Sequence, residues 1–171
     1  MNILMIVLRV IHIFGGVFWL GISIFNVTYL QPAVQATGAE GQKVMQHLTR
    51  KTRLLNTTYG AASVNVLSGL IMYGIDSGFH PTFLATRYGL TLAIGGLSAL
   101  VACAVAIFVI RNIFAQMGEI GRQIQAQGGP PTPAQGAAMQ ALGARLGSLG
   151  RVGLALLTIT LLAMSIARYV G

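Results

Sequence analysis

Apolar positions fall into four long blocks, separated by two basic, polar connections and one short loop. The first block covers about residues 3–29. It is expected to stop ahead of Gln31-Pro32, because the residue before a proline resists helical geometry. The second covers about 54–75 and closes at "DSGFHP", the third about 88–110, and the fourth about 152–170. Each block approaches the roughly 20 residues needed to cross about 30 Å of hydrocarbon. The pattern predicts an all-α fold, an integral membrane four-helix bundle forming a single membrane domain over residues 1–171.

The two long connections carry helical periodicity of their own. In "EGQKVMQHLTRKTRLL", Val44, Leu48 and Leu55 share one stripe, so the second helix is expected to begin well before the membrane. "RNIFAQMGEIGRQIQAQ" continues the third helix, and "GGPPTP" must break it. Thr132 then fits an N-cap, with Pro133 at the first helical position and Gln135 closing a capping box. A helical hairpin over about 111–151, running unbroken into the fourth span, is the expectation. Small residues at Gly95, Ala99, Ala102 and Ala106, and at Gly143, Gly147 and Gly150, mark where backbones approach closely.

One block is not uniformly apolar. "LRVIHIFGGVFWLG" places an arginine and a histidine inside the first span. On a helix, Arg9, His12, Gly16, Trp19, Ser23 and Asn26 fall within roughly a 100° arc. Val10, Phe14, Val17, Phe18, Ile24 and Phe25 lie opposite. The polar stripe is expected to face the bundle, because charge in hydrocarbon is costly. At about 1.5 Å per residue, Arg9 lies roughly 10 Å deep and can reach outward along its methylenes. His12 lies roughly 15 Å deep and cannot. Its imidazole must be neutral and hydrogen-bonded, with Asn65 or Thr158 as partners of comparable depth, or it must ligate haem iron or copper. Met72 and Met164 are candidate sixth ligands, or filler. His80 either folds back over the bundle or belongs to an ordered turn, and His47 lies at the other end. Arg87 and Arg168 sit near span ends, where haem propionates or phospholipid head groups would suit them, and Asp76 is placed to pair with either.

Composition agrees with the pattern. Of 171 residues, 54% are hydrophobic and 8% charged, against roughly 25% charged in a soluble domain. The mean hydropathy is +0.73. The net charge of +8 is concentrated in the connections: Lys43, Arg50, Lys51 and Arg53 in one, and Arg111, Arg122, Arg145 and Arg151 in the other. By the positive-inside rule these are cytoplasmic and contact anionic lipid, and both termini lie on the non-cytoplasmic side. Nucleic acid is not an expected partner, since the basic residues form no soluble module with stacking aromatics. Cys103 is the only cysteine, which excludes a disulfide framework and a thiolate metal cage. The N-terminus lacks signal-peptide marks, so the first span is expected to be retained. No carboxylate pair, Ser-His-Asp order, phosphate loop or CxxC points to a soluble-enzyme chemistry, and no residue is assigned a catalytic role.

These residues resemble a known family. "LRVIHIFGGVFWLGISIFNVTYLQPAV" is similar to the first helix of CopD-like integral membrane proteins, with a basic residue three before a histidine, a Trp-x-Gly and a closing proline. "LSGLIMYG" resembles their second helix, "PTFLATRYGLTLAIGG" the outer loop and the start of their third, and the segment from "GGPPTPAQGAAMQ" to the C-terminus the end of an uncharacterised branch. The resemblance implies a four-helix membrane core and a link to copper handling. The more distant HemJ-type protoporphyrinogen oxidases share the intramembrane histidine and bind haem. By position His12 would be the ligand and Arg9 the basic residue before it. Those relatives carry a lysine in the third helix, whereas residues 92–96 here are apolar or glycine, so protoporphyrinogen oxidase activity is not expected. The reading is a small bacterial inner-membrane protein holding haem b, or copper, at His12 for electron transfer or metal handling. Arg9, Arg87 and Arg168 would offset propionate charge. The alternative is a cofactor-free subunit of a larger membrane complex or a homo-oligomer.

Overall fold

The computed structural model describes residues 3–170, and every regular element among them is helical. Helix α1 (Ile3–Phe25) does not stop before the proline. It passes through a π turn at Asn26–Leu30 into α2 (Gln31–Ala36), giving one rod of 34 residues. The reason is a change of register. Proline lacks an N–H and its ring collides with the carbonyl four residues back. In the π turn the Gln31 N–H donates to the Asn26 carbonyl instead, five residues back. Pro32 then occupies the first turn of α2, where no N–H is required.

Helix α3 (Gly38–Arg50) and helix α4 (Leu54–Ser77) are separate, contrary to the continuous helix that the stripe suggests. Residues 51–53 interrupt them. There the Thr52 hydroxyl donates to the Leu48 carbonyl and accepts from the Leu54 N–H at 3.2 Å. Such local side-chain bonds compete with the helical ladder. Val44 is exposed, while Leu48 and Leu55 are half-buried.

Helix α4 ends at Gly78, whose φ of +56° gives the left-handed cap that glycine adopts without strain. Thr86 opens helix α5 (Arg87–Ala104) by accepting from the Gly89 N–H at 2.9 Å. A second π turn at Val105–Ile110 joins α5 to α6 (Arg111–Ala126) in a rod of 40 residues. The expected break follows at residues 127–132. The Thr132–Gln135 capping box is formed in both directions, at 3.2 and 2.9 Å. Helix α7 (Pro133–Ile166) then runs 34 residues without interruption, so the expected helical hairpin is present.

Helix α1 packs along α4 and α5 along α7, while α4–α5 and α1–α7 contacts join the two pairs. Trp19, Ala62, Ala99, Ala102, Cys103 and Leu157 form the shared core. Of the small residues, Gly95 and Gly150 stand in tight contact as expected, while Gly143 does not, since a Cβ there would meet nothing within 4 Å. A Cβ on Gly95 would lie 3.0 Å from the Ala163 Cβ, and the Thr160 hydroxyl donates to the Gly95 carbonyl at 3.1 Å. Phe14, Leu97 and Phe108 are 75%, 63% and 75% exposed, an outer surface suited to hydrocarbon rather than water. Among the described residues, three rods are long and apolar enough to cross a membrane: Ile3–Ala36, Arg87–Ala126 and Pro133–Tyr169. Helix α4 is not among them, because Asn56, Thr57, Thr58, Ser63, Asn65 and Ser68 lower its hydropathy.

Candidate functional site: the His12 clasp

The stripe on α1 turns inward from His12 downward. His12, Gly16, Ser23 and Asn26 are half-buried and Trp19 is buried, while the six residues read as the opposite face are all exposed. Arg9 departs from the stripe and is exposed. Its length explains this: the guanidinium leaves the helix surface along its methylenes, and it lies within electrostatic reach of the Tyr88 hydroxyl.

His12 meets α4, and its partner is Asn65, not Thr158. Its Nδ1 lies 2.8 Å from the Asn65 carbonyl oxygen and 3.3 Å from the Ser68 Oγ. A carbonyl can only accept, so Nδ1 carries the proton and donates. The Asn65 side-chain amide answers by donating to the His12 carbonyl at 2.7 Å. The two residues therefore exchange side-chain-to-backbone bonds across the interface. Asn65 and Ser68 are 5% and 4% exposed. Ser68 satisfies itself by donating to the Val64 carbonyl at 2.7 Å. Thr158 instead is exposed and bonds the Leu154 carbonyl within its own helix.

Glycines allow this approach. A Cβ on Gly69 would lie 2.8 Å from His12 Cε1, and one on Gly16 would lie 2.9 Å from Asn65 Nδ2. Both are closer than real Cβ contacts, so any larger residue displaces the ring or the amide. The far ring nitrogen of His12, Nε2, has no hydrogen-bond partner among the described residues and is not sealed inside the protein. In the neutral ring it keeps its lone pair.

The other residues read as site candidates are not gathered around this ring. Arg87 and Arg168 are exposed, at the same end of the molecule as Arg9. Neither makes an ion pair with Asp76, which is exposed and accepts a 3.5 Å hydrogen bond from the Tyr88 hydroxyl. His80 belongs to an ordered turn: its N–H donates to the Ser77 carbonyl, its carbonyl accepts from the Phe83 N–H, and Phe83 packs edge-on to Tyr73 and Tyr88. Met72 and Met164 are half-buried. His47 is exposed on α3. Ser68 and Gly69 are the residues that sequence reasoning missed. The signal was present, since each lies within one turn of Asn65 on α4. No family model, curated protein or solved structure matches this chain.

A second feature lies about two turns below His12. A cavity of about 130 Å³ sits between the two π turns, walled by Trp19 and Asn26 from the first rod, Tyr59 from α4, Ala106 from the rod Arg87–Ala126, and Gly150 and Leu157 from α7. It does not touch His12.

Proposed function

We propose that this chain is a CopD-like four-helix membrane protein of the bacterial inner membrane that holds haem b at His12, for electron transfer or metal handling. The observation that carries the reading is the committed Nδ1–H: donated to the Asn65 carbonyl at 2.8 Å, it fixes the ring and leaves Nε2 as the ligating atom. Ligating histidines characteristically give their other ring N–H to a carbonyl or carboxylate in this way. The donor set suits haem better than copper. One imidazole serves as an axial ligand to haem iron, whereas no group of three or more His, Cys, Asp or Glu side chains stands together among the described residues. Haem supplies one-electron transfer when bound. The protein's part is to hold the imidazole and to offer Arg9, Arg87 and Arg168, at the same end, to the propionates.

In this reading α4 makes the fourth crossing. Several of its polar groups are already satisfied: Thr57, Thr58 and Ser68 return their hydroxyls to carbonyls four residues back, and Asn65 is sealed against α1. Hydropathy counts such groups as a cost that the fold has removed. The basic connections lie at the cytoplasmic face, on anionic lipid, with both termini opposite.

A second reading has support of its own. The His12–Asn65–Ser68 bonds close a helix interface without any ligand, as a cofactor-free subunit of a larger complex or a homo-oligomer requires. The visible spectrum separates the two. Protein purified in mild detergent after haem supplementation should show a Soret band that shifts on dithionite reduction and is absent in His12→Ala. A featureless wild-type spectrum favours the subunit, and copper analysis of the same sample decides the remaining metal.

A further inference from the structure

We infer that the cavity between the two π turns binds a neutral ring bearing acceptor oxygens, the chemistry of a membrane quinone. Three observations converge there. First, π turns are rare and concentrate at functional sites, and the two among the described residues, Asn26–Leu30 and Val105–Ile110, both contribute to one cavity. Pro32 accounts for the first, but no proline accompanies the second. Second, hydrogen-bonding capacity is left open on the wall. The Tyr59 hydroxyl is enclosed with no partner, and the side-chain amides of Asn26 and Gln31 make no side-chain hydrogen bond among the described residues. A buried polar group left unpaired is destabilising, so the Tyr59 hydroxyl is set to meet a ligand, with the half-buried amides of Asn26 and Gln31 lining the same cavity. Third, no charged residue lines the cavity, while the Arg111 charge is felt at the Tyr59 hydroxyl from just outside. That field favours an electron-rich oxygen beside Tyr59 and disfavours a cationic ligand.

Size and shape select the ring. An apolar cavity of about 150 Å³ accepts a benzene-sized molecule, and this one measures about 130 Å³. Trp19 supplies an aromatic wall on which a ring can stack. A lipid acyl chain would fill the volume but leave the enclosed Tyr59 hydroxyl unpaired. The inference does not depend on a cofactor at His12, which lies outside the cavity.

The test uses a short-tailed benzoquinone and, as control, an alcohol carrying the same tail. Protein without added haem is titrated in detergent by calorimetry, and the emission of Trp19, the sole tryptophan, is followed in parallel. One saturable site that quenches Trp19, weakened roughly five- to tenfold by Tyr59→Phe, is the expected result. Gly153→Leu should abolish it, since the Cβ position there meets nothing within 4 Å and the new side chain enters the cavity. The titration is made without haem, so its outcome is separate from that of the haem reading. Linear, non-saturating quenching equal in wild type and Tyr59→Phe would overturn the inference, and so would equal binding of the tail alcohol.

Discussion

The contact between Gly69 and His12 can be tested by adding a single methyl group. In Gly69→Ala the new Cβ would stand 2.8 Å from His12 Cε1 and 3.3 Å from Nδ1. The ring cannot swing away freely, because its Nδ1 is held 2.8 Å from the Asn65 carbonyl. Either that bond stretches or α1 and α4 separate. Overpacking a filled site costs about 1–3 kcal/mol, while alanine gains about 1 kcal/mol over glycine in a helix interior. The second effect is removed by a matched control. Gly96→Ala on α5 makes the same change inside a helix where the added Cβ meets nothing within 4 Å. Gly69→Ala should therefore be less stable than Gly96→Ala by about 1–3 kcal/mol. Reversible unfolding in mixed micelles of mild detergent and dodecyl sulfate, followed by circular dichroism, measures that difference. Equal stability of the two variants would show that the ring does not rest on Gly69, and the interface described here would be wrong.

Three further outcomes follow from other contacts. Asn65→Ala should lose about 0.6–1.7 kcal/mol, the range of interhelical hydrogen bonds in membranes. In a double mutant with His12→Ala the two costs should add to within about 0.5 kcal/mol, because each substitution removes one bond and keeps the backbone carbonyl that accepts the other; strong coupling would deny that the two bonds are separate. Thr132→Ala removes the cap of α7 at a cost of about 1 kcal/mol, so amide exchange at Gln135 should quicken roughly fivefold. Unchanged exchange would mean that the capping box contributes nothing. Glu119 is held below the usual glutamate range by its hydrogen bond to Arg122, then by that residue's charge, with a further bond from Gln123. A depressed carboxylate stabilises the fold above its unfolded pKa, and the contribution fades as pH falls through the folded value. NMR titration of the Glu119 carboxyl should therefore find its midpoint below that of an unstructured glutamate and restored to it in Arg122→Ala. A midpoint at or above the ordinary value contradicts the pairing.

Much of the fold was legible because periodicity and capping act locally. The Thr132 capping box, the break at residues 127–132 and the inward stripe from His12 to Asn26 are each decided within a few residues of sequence. The errors share one cause, which is that the deciding contact is not the strongest local signal. Pro32 reads as a helix end, but a π turn just ahead of it resets the register. The Val44–Leu48–Leu55 stripe reads as one helix, but Thr52 bonds its neighbours' backbone and opens a break. Arg9 shares the angular position of the stripe, yet a long side chain is not bound to the face on which its Cα lies. At the site, His12 and Asn65 could be named from depth along the helices. Their reciprocal bonding could not, since it needs the closeness that Gly16 and Gly69 allow. The cavity was hidden altogether, because it is formed by residues from five segments and by two changes of helical register.

The proton on His12 tests the central claim most directly. Nitrogen NMR of histidine-labelled protein in lipid, with His47→Asn and His80→Asn removing the other two imidazoles, reads each ring nitrogen separately. Without cofactor, Nδ1 should appear protonated and Nε2 bare, and Asn65→Ala, which keeps the accepting backbone carbonyl, should leave that preference in place. Added haem should then perturb Nε2 and leave Nδ1 protonated. A proton resting on Nε2 would mean that the Asn65 carbonyl does not hold the ring, and the proposed ligand atom would be lost with it.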